Sequence, residues 1–536
     1  MPYLRSALRI GSAALIVAVL LGAASQAGAD DKKKPAPAPV PAPAARPAPA
    51  PAARPAAQPS YGGGAVQRPS TSSPSVYRPT TTGPSANRPT TSSPSVYRPT
   101  TTGPTTNHPT TSSPSVNRPA TGIPAARGPA MDARGGTNST FHSPAPSGAI
   151  EHTTRSGGAV RIGPEGNVRD VHDAKRGMDV HHGLNGNRSI SVERADHSRL
   201  EVERGRPGYV QRGYSYRGHD FGRRAYYYHG REYSRFYRGF GYRGLMLNVY
   251  APGFYYGPGF YGWAYNPWAM PIAFGWGWGG SPWFGYYGGY FAPYPVYPSA
   301  SYWLTDYMIS QDLQTAYAAH QEAGEVDGAS AAAGGPQELT PDVKQQIADE
   351  VRNQLALEND EAQRTAHQID VDPGSSGIAR MLADGHPHVF VAGSALDLMD
   401  ANGQECAISD GDALALRTPP PADATAANLV VLASKGGQEC QKNSTVTVQL
   451  TDLQEMQNQM RATIDQGLQE LQAKQGQGGL PQAPPSAQAK PTAPEYAAIA
   501  PPPDPNDAAD LQGQGQQADQ AEKEVTAEAT QPSSNQ

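Results

Sequence analysis

The sequence predicts a mostly disordered, multi-segment chain that carries small all-β and α+β modules and ends in a small antiparallel barrel flanked by helices. Three observations lead there. The 536 residues include 58 Gly and 53 Pro and are only 38% hydrophobic, so much of the chain has little to bury. A ten-residue polar repeat, from "QRPSTSSPSV" to "NRPATGIPAA", fills residues 67–126 and is shorter than the roughly 20 residues that a stacking repeat needs. Residues 376–450 hold six short apolar alternations ("HVFVAG", "ALDLMD", "CAI", "ALALRT", "NLVVLAS", "TVTVQL") separated by turn sequences.

Residues 1–29 read as a secretory signal. Arg5 and Arg9 supply the positive end, Ile10 to Ala24 the apolar run, and Ala27-Gly28-Ala29 a small-residue cleavage site. That run falls short of the roughly 20 residues of a spanning helix, so the expectation is cleavage without a transmembrane helix in the mature chain. The expected location is the periplasm, the outer surface or the medium. In an oxidising compartment the chain's two cysteines, Cys406 and Cys440, are expected to form one disulfide. The formal net charge of -5 is small for this length and points to no polyanionic partner. Residues 30–66 form a Pro/Ala-rich linker and, with the repeats, a stalk whose Ser and Thr are open to glycosylation.

From residue 157 to 203, short alternating runs parted by Gly-Pro, Glu-Gly and Asn-Gly predict two or three β-hairpins, with charge on both faces and therefore a thin core. Residues 204–243 hold ten Arg, several in Arg-Gly pairs, against only Asp220 and Glu232. Arg and Tyr attract through ring faces at about 0.5–1 kcal/mol per exposed pair, so many weak contacts accumulate here.

Residues 244–303 then contain no charged side chain, and the uncharged run reaches Thr305. It is no membrane helix, because 12 Gly and 8 Pro interrupt the 62 residues from Gly244 to Thr305 and a spanning segment has to satisfy its own backbone. Its 22 aromatic residues fit a loop-rich aromatic core, an adhesive face, or a mixture of the two. Sugar binding would need carboxylates or amides beside the rings, and the stretch offers only Asn248 and Asn266. Self-association is the simpler expectation. Its candidate residues are Arg212, Arg217, Tyr226, Tyr227, Arg238, Tyr255, Tyr261, Trp263, Trp268, Trp276, Trp278 and Trp283.

The runs "FYGWAYNPWA" and "YYGGYFAPYPVYPSASYWLTDYMIS" resemble those of exported bacterial proteins of uncharacterised activity with a Gly/Tyr/Trp-rich central region. The resemblance extends over roughly residues 157–475. It implies an envelope or secreted location and brings no catalytic residue to transfer.

In the C-terminal half, residues 304–322 read as a helix through Leu304, Met308 and Leu313. A second helix, 340–366, opens with Thr340 as N-cap, Pro341 and Asp342, and carries the stripe Val343, Ile347, Val351 and Leu355, to face the next domain or another chain. Residues 376–450 suit a barrel of the Src-homology-3-like kind, pinned by the expected disulfide. Thr451 to Gln454 read as a capping box for a helix over 451–475, with the seam Leu453, Met456, Met460, Ile464, Leu468 and Leu471 packed back on the barrel or paired with another helix. Residues 476–536 read as a disordered acidic tail.

No catalytic constellation emerges. His181-His182 and His386-Pro387-His388 lack zinc spacing and read as surface histidines. "DANGQECAISD" lacks the Gly and Glu of a calcium loop and reads as a turn, and "SDGD" shows no nucleophile elbow. The expected function is a non-enzymatic, exported structural or adhesive protein, without cofactor or metal, whose partners are copies of itself or envelope polysaccharide or protein. Two alternatives stand beside it. One is cell-wall or peptide binding by the barrel, disfavoured because Phe390 is its only aromatic residue; the other is binding of extracellular nucleic acid by the Arg-Gly-Tyr segment.

Overall fold

In the computed structural model the chain divides into two units, Met1–Ser115 and Val116–Gln536. The structure describes residues 141, 145–228, 230–324 and 337–530. The expected signal, linker and repeats lie outside the described residues. All that follows belongs to the second unit.

Ten strands come first: β1 (Ile150–Thr153), β2 (Ala159–Ile162), β3 (Val168–Asp173), β4 (Met178–His182), β5 (Arg188–Glu193), β6 (Arg199–Glu203), β7 (Gly208–Tyr216), β8 (His219–Tyr228), β9 (Arg231–Tyr242) and β10 (Leu245–Ala251). Each pairs antiparallel with the next, so they form one meander in chain order. The expected boundary at residue 204 does not exist, because β6 pairs directly with β7, Leu200 opposite Val210. The Arg-Gly pairs are part of the reason. Arg217-Gly218 and Arg243-Gly244 are the two-residue links of β7–β8 and β9–β10, at φ of 49°, 79°, 51° and 77°. Positive φ at both positions is what a type I′ hairpin turn requires.

The remaining elements are α1 (Pro258–Tyr265), α2 (Pro282–Tyr286), α3 (Ala300–Ala323), α4 (Pro341–Ala366), α5 (Ile378–Met381), β11 (His388–Val391), β12 (Leu396–Asp400), β13 (Glu405–Ile408), β14 (Ala413–Leu416), β15 (Ala426–Ala433), β16 (Thr445–Gln449), α6 (Leu450–Lys474), α7 (Glu495–Ala498) and α8 (Asp507–Thr530). Strands β11 to β16 form a second antiparallel sheet in the order β11-β14-β15-β16-β12-β13. β11 and β13 stand at the two ends of that order, so among the described residues the strands close no barrel. Cys406 and Cys440 are joined, with Cα atoms 4.9 Å apart, tying β13 to the loop after β15.

The uncharged tract is core. Tyr256, Phe260, Tyr261, Tyr290, Phe291 and Tyr297 are buried together with the α4 stripe and with Met460, Ile464, Leu468 and Leu471 of α6. The stripe therefore faces its own chain. A second core joins Leu453 and Met456 of α6 to the second sheet and β10. Among the described residues no helix is long and apolar enough to cross a membrane.

Two local expectations are corrected. Helix α6 starts at Leu450 rather than after a Thr451 cap, with Gln449 as N-cap and no side-chain cap bond. Strand β16 runs straight into it because Leu450 is fully buried and its N–H donates to Thr425 O at 2.8 Å. The tail is not structureless over 476–530. Its Pro-rich part straps the meander and α8 covers one sheet face, where Leu511, Ala518, Ala521 and Val525 meet Val160, Val171, Val180, Ile190 and Leu200. By contrast, Thr340 caps α4 as read, accepting from Val343 N at 3.4 Å.

The disulfide closes a loop of 34 residues' separation, worth about 3–4 kcal/mol in the chain-entropy account. Cys406→Ser is expected to lower the urea midpoint under oxidising conditions by a corresponding amount and to abolish its sensitivity to reductant. An unchanged midpoint would show that the bridge contributes nothing.

Candidate functional site

Pairing register decides where the Arg/Tyr segment's contacts go. Gln211, Arg224 and Arg235 are successive cross-strand partners, beside the row Tyr209, Tyr226 and Tyr233. Arg224 lies over Tyr237 at 4.0 Å and Tyr209 at 4.7 Å, and Arg235 over Tyr226 at 5.0 Å and Tyr233 at 5.6 Å. Helix α6 closes this face: Glu455 pairs with Arg224, and Gln459 accepts from Arg235 at 2.7 Å. The ladder is internal, so these rings and guanidiniums are spent within the fold.

The other proposed interaction residues divide four ways. Arg212 forks onto buried Asp507 of α8, with one bond at 2.8 Å, and Tyr227 packs beneath that helix. Tyr261, Trp268 and Trp283 are buried in the aromatic core. Trp263, Trp276 and Trp278 are half-buried around it: Trp263 stacks on Trp268 at 6.0 Å, and Trp276 stacks on Trp278 at 4.3 Å while donating to Tyr297 Oη at 2.6 Å. Arg217, Arg238 and Tyr255 come together elsewhere, at a cavity of about 530 Å³.

Four pieces of chain build that cleft. The β7–β8 turn and the strands beside it give Tyr216, Arg217, Phe221 and Arg238, and the chain leaving β10 gives Tyr250, Pro252, Tyr255 and Tyr256. The end of α4 and its following loop give Glu361, Gln363, His367, Gln368 and Asp370. The tail gives Lys490, Thr492, Glu495 and Tyr496. Thr492 exchanges two 2.8 Å backbone hydrogen bonds with Tyr255. The Tyr496 ring stacks on Phe221 at 5.0 Å, and its hydroxyl donates to Pro252 O at 2.7 Å. Arg238 forks onto Asp370 at 3.1 Å per bond, and Arg217 donates to Glu495 at 2.8 Å. The rim is thus polar, with both signs of charge, over an aromatic wall.

Behind the floor sits a fully buried ionic group: Glu358, Glu361 and Asp465 share one guanidinium, that of Arg461. Arg461 donates to Glu361 at 2.8 Å, Gln354 to Glu358 at 3.1 Å, and the Tyr250 hydroxyl to Asp465 at 2.7 Å. Three carboxylates against one cation cannot all stay ionised without water. Burial, helped by the neighbouring Asp465 charge, holds Glu358 protonated well above the usual carboxylate range. Burial also pushes Asp465 up to about 6, against the Tyr250 hydroxyl and Arg461. A proton on Glu358 then serves Asp465, its hydrogen-bond partner.

Sequence reading missed this group, although a signal existed: Glu358 and Ala362 continue the α4 stripe, and an acid in an apolar stripe asks for a partner. The histidines are corrected too. His181 is no free surface group; although burial opposes its charge, Asp170 at 2.6 Å and Asp397 at 3.2 Å push it up to about 9. His388 is buried between Glu350 at 3.0 Å and Asp384 at 2.9 Å. Among the described residues no group of three or more His, Cys, Asp or Glu is arranged to hold a metal ion. Asp400 accepts from the N–H groups of Asn402 and Gln404, both at 2.8 Å, which makes "DANGQ" the turn it reads as. Comparison with protein-family models, curated proteins and solved structures returns no match.

Carboxyls whose pKa rises on folding bind protons more tightly in the native state. Their stabilisation is complete below the unfolded value near 4 and is lost as pH rises through the folded value, about 6 for Asp465. The thermal midpoint is therefore expected to fall between pH 4 and 7, and Glu358→Gln, which keeps a donor without a titrating proton, to flatten that fall. The loss from His181 belongs to a separate, higher window, up to about 9. Equal slopes for parent and variant in the lower window would refute the shared proton.

Proposed function

We propose that the protein is an exported, non-enzymatic envelope protein that binds carbohydrate in the cleft between β7–β10, the end of α4 and the tail. One observation carries this reading: the half-buried rings of Tyr216 and Tyr496, backed by buried Phe221 and Tyr255, stand beside a rim of carboxylates, amides and cations. Flat rings take the apolar face of a sugar, while Gln363, Gln368, Asp370 and Glu495 offer the acceptors and donors that fix hydroxyls. The uncharged tract offers only Asn248 and Asn266 in sequence; the groups of the cleft rim arrive from α4, its following loop and the tail. The volume of about 530 Å³ falls within the range of small-ligand sites, roughly 300–1,000 Å³.

Export is supported by the signal-like first 29 residues and by the disulfide, which persists in oxidising compartments. The resemblance to exported bacterial proteins agrees with it. Adhesion through the Arg/Tyr and Trp residues draws less support, because most of those side chains are buried or paired. Nucleic-acid binding draws less for the same reason: Arg212, Arg217, Arg224 and Arg238 each already meet a carboxylate. Peptide or wall binding on the second sheet lacks an aromatic platform, since Phe390 is buried.

The test is calorimetric titration with linear β-1,4-linked oligosaccharides of glucose and of N-acetylglucosamine. Saturable binding is expected, with Tyr216→Ala weakening it about tenfold, equivalent to about 1.4 kcal/mol, and Lys523→Ala on the exposed face of α8 leaving it unchanged. Heat flows that stay flat for both series, or equal affinity of Tyr216→Ala and parent, would remove the proposal.

A further inference from the structure

Helix α8 is an unusual cover. Over Asp507–Thr530 its only buried apolar side chains are Leu511, Ala518, Ala521 and Val525, and Gly513 and Gly515 stand inside it. Glycines at such positions weaken a helix, and a segment this poor in apolar contacts does not hold helical form by itself. What it lacks in apolar grip it replaces with charge. Its acids are Asp507, Asp510, Asp519, Glu522, Glu524 and Glu528, against the single Lys523. They meet a basic border on the meander: Arg176 with Glu524 at 2.9 Å, Arg188 with Asp519 at 2.9 Å and Glu522 at 2.7 Å, His182 with Glu522 at 3.1 Å, and Arg194 with Asp510. Several of these pairs are partly exposed, the acids of the Arg176 and Arg188 pairs by 49% and 56%, so salt screens them.

The surface beneath behaves oppositely. Val160, Val171, Met178, Val180, Ile190, Val192, Leu200 and Val210 are all buried there, on a sheet whose other face carries Arg161, Asp170 and His181. A bare apolar strip of that extent does not persist in water. The cover is held more by charge than by apolar contact, with the Arg212 fork onto buried Asp507 at its start, and the strip must be covered. Between them runs Pro501-Pro502-Pro503-Asp504-Pro505, a stiff tether that joins α8 to the strapped part of the tail.

We propose that the α8-covered face of the meander is a docking surface for the α8 of a second copy of this chain, so that the helix exchanges between copies. The same contacts form whether the helix comes from its own chain or from another, and the balance is set by effective concentration against protein concentration. The acidic helix and the basic border select for this helix and against an apolar or basic one. Exchange is slow where the ion pairs are strong and accelerates as salt loosens them. Self-association then depends on a latch, and the buried aromatic tract takes no part in it.

The test uses two full-length variants, each with one added, unbonded cysteine. Ser156 donates to Glu528 at 2.7 Å, so Ser156→Cys and Glu528→Cys place thiols on the two sides of the contact, while Cys406 and Cys440 are already bonded. One variant carries a mass tag, the two are mixed, incubated at low and high NaCl, returned to low salt and treated with a short bismaleimide. The expected product is a tagged–untagged crosslinked dimer whose yield rises several-fold with protein concentration and with salt during incubation. The double variant in one chain should close on itself at low concentration, which shows that the linker spans the contact and that both changes leave the fold intact. If the double variant closes while the mixture gives no mixed dimer at any salt that preserves the fold, exchange is refuted. If the double variant fails to close, the seating of α8 that the proposal needs is refuted.

Discussion

Helix α6 is the element on which the rest of the structure depends, and the decisive interaction is its hold on the last strand of the meander. Strand β10 has no strand beyond it, and its outer edge would present unpaired N–H and C=O groups. Asn458 takes both roles of a missing strand: its Oδ1 accepts from Tyr250 N at 2.9 Å, and its Nδ2 donates to Asn248 O at 2.7 Å. Arg461, one turn on, donates to Tyr250 O at 3.2 Å. These bonds occupy the edge at Asn248 and Tyr250 and fix the helix in register with the sheet. Once α6 is fixed, its apolar side serves two cores at once, Leu453 and Met456 in one and Met460 to Leu471 in the other. The uncharged aromatic tract then has a surface on which to pack.

The same helix gathers the buried charges. Glu455 and Gln459 close the Arg224–Arg235 ladder, while Arg461 and Asp465 meet Glu358 and Glu361 of α4. Ion pairs of this kind seldom add stability over an apolar core, but they penalise any arrangement that separates the partners. Here they select one docking of α6 against the sheet and one against α4. The contact of the meander with the second sheet and its loops follows the same rule: Arg169 with Asp397 and Glu405, His181, itself paired with Asp170 in the meander, with Asp397, and Arg206 with Asp410. Charge on both sides of the hairpins, which in sequence argues only for a thin core, is the means by which the sheet is held.

What could be read in advance follows from how local the cause is. The start of α4, the α4 stripe, the α6 seam and the cysteine pair were legible because capping, periodicity and compartment act within a few residues or through a single bond, whereas α3 begins at Ala300, four residues before the expected start, with no side-chain cap to mark it. The meander's extent was not, because Arg-Gly pairs were weighed as sticky composition, when two adjacent residues at positive φ make them hairpin turns. The tail was not, because Gln and Ala carry no burial signal of their own; α8 is helical only because Val160 to Val210 need a cover. The cleft was the least legible feature. Most of its rings lie between Tyr216 and Tyr256, while Tyr496 and most of its polar groups lie beyond residue 360, and only the fold brings Glu361, Gln363 and Lys490 to them.

Composition by itself does not separate cohesion from adhesion. An arginine over a tyrosine contributes the same attraction within a chain or between chains, and the outcome depends on whether partners are in reach before a second molecule arrives. In a meander with two-residue turns the next strand is always in reach, so Arg235 finds Tyr226 and Tyr233 at 5.0 and 5.6 Å in its own sheet. The tract after β10 obeys the same logic by another route: Gly and Pro fold it back often enough that Trp276 meets Trp278 and Trp303 at 4.3 and 4.8 Å. A chain rich in such residues becomes adhesive only where topology leaves a ring without a neighbour. At the cleft wall even half-buried Tyr216 has Phe221 and Tyr496 at 5.9 and 6.3 Å, and Tyr255 is buried, so the cleft offers ring surface that the chain itself has already partly used.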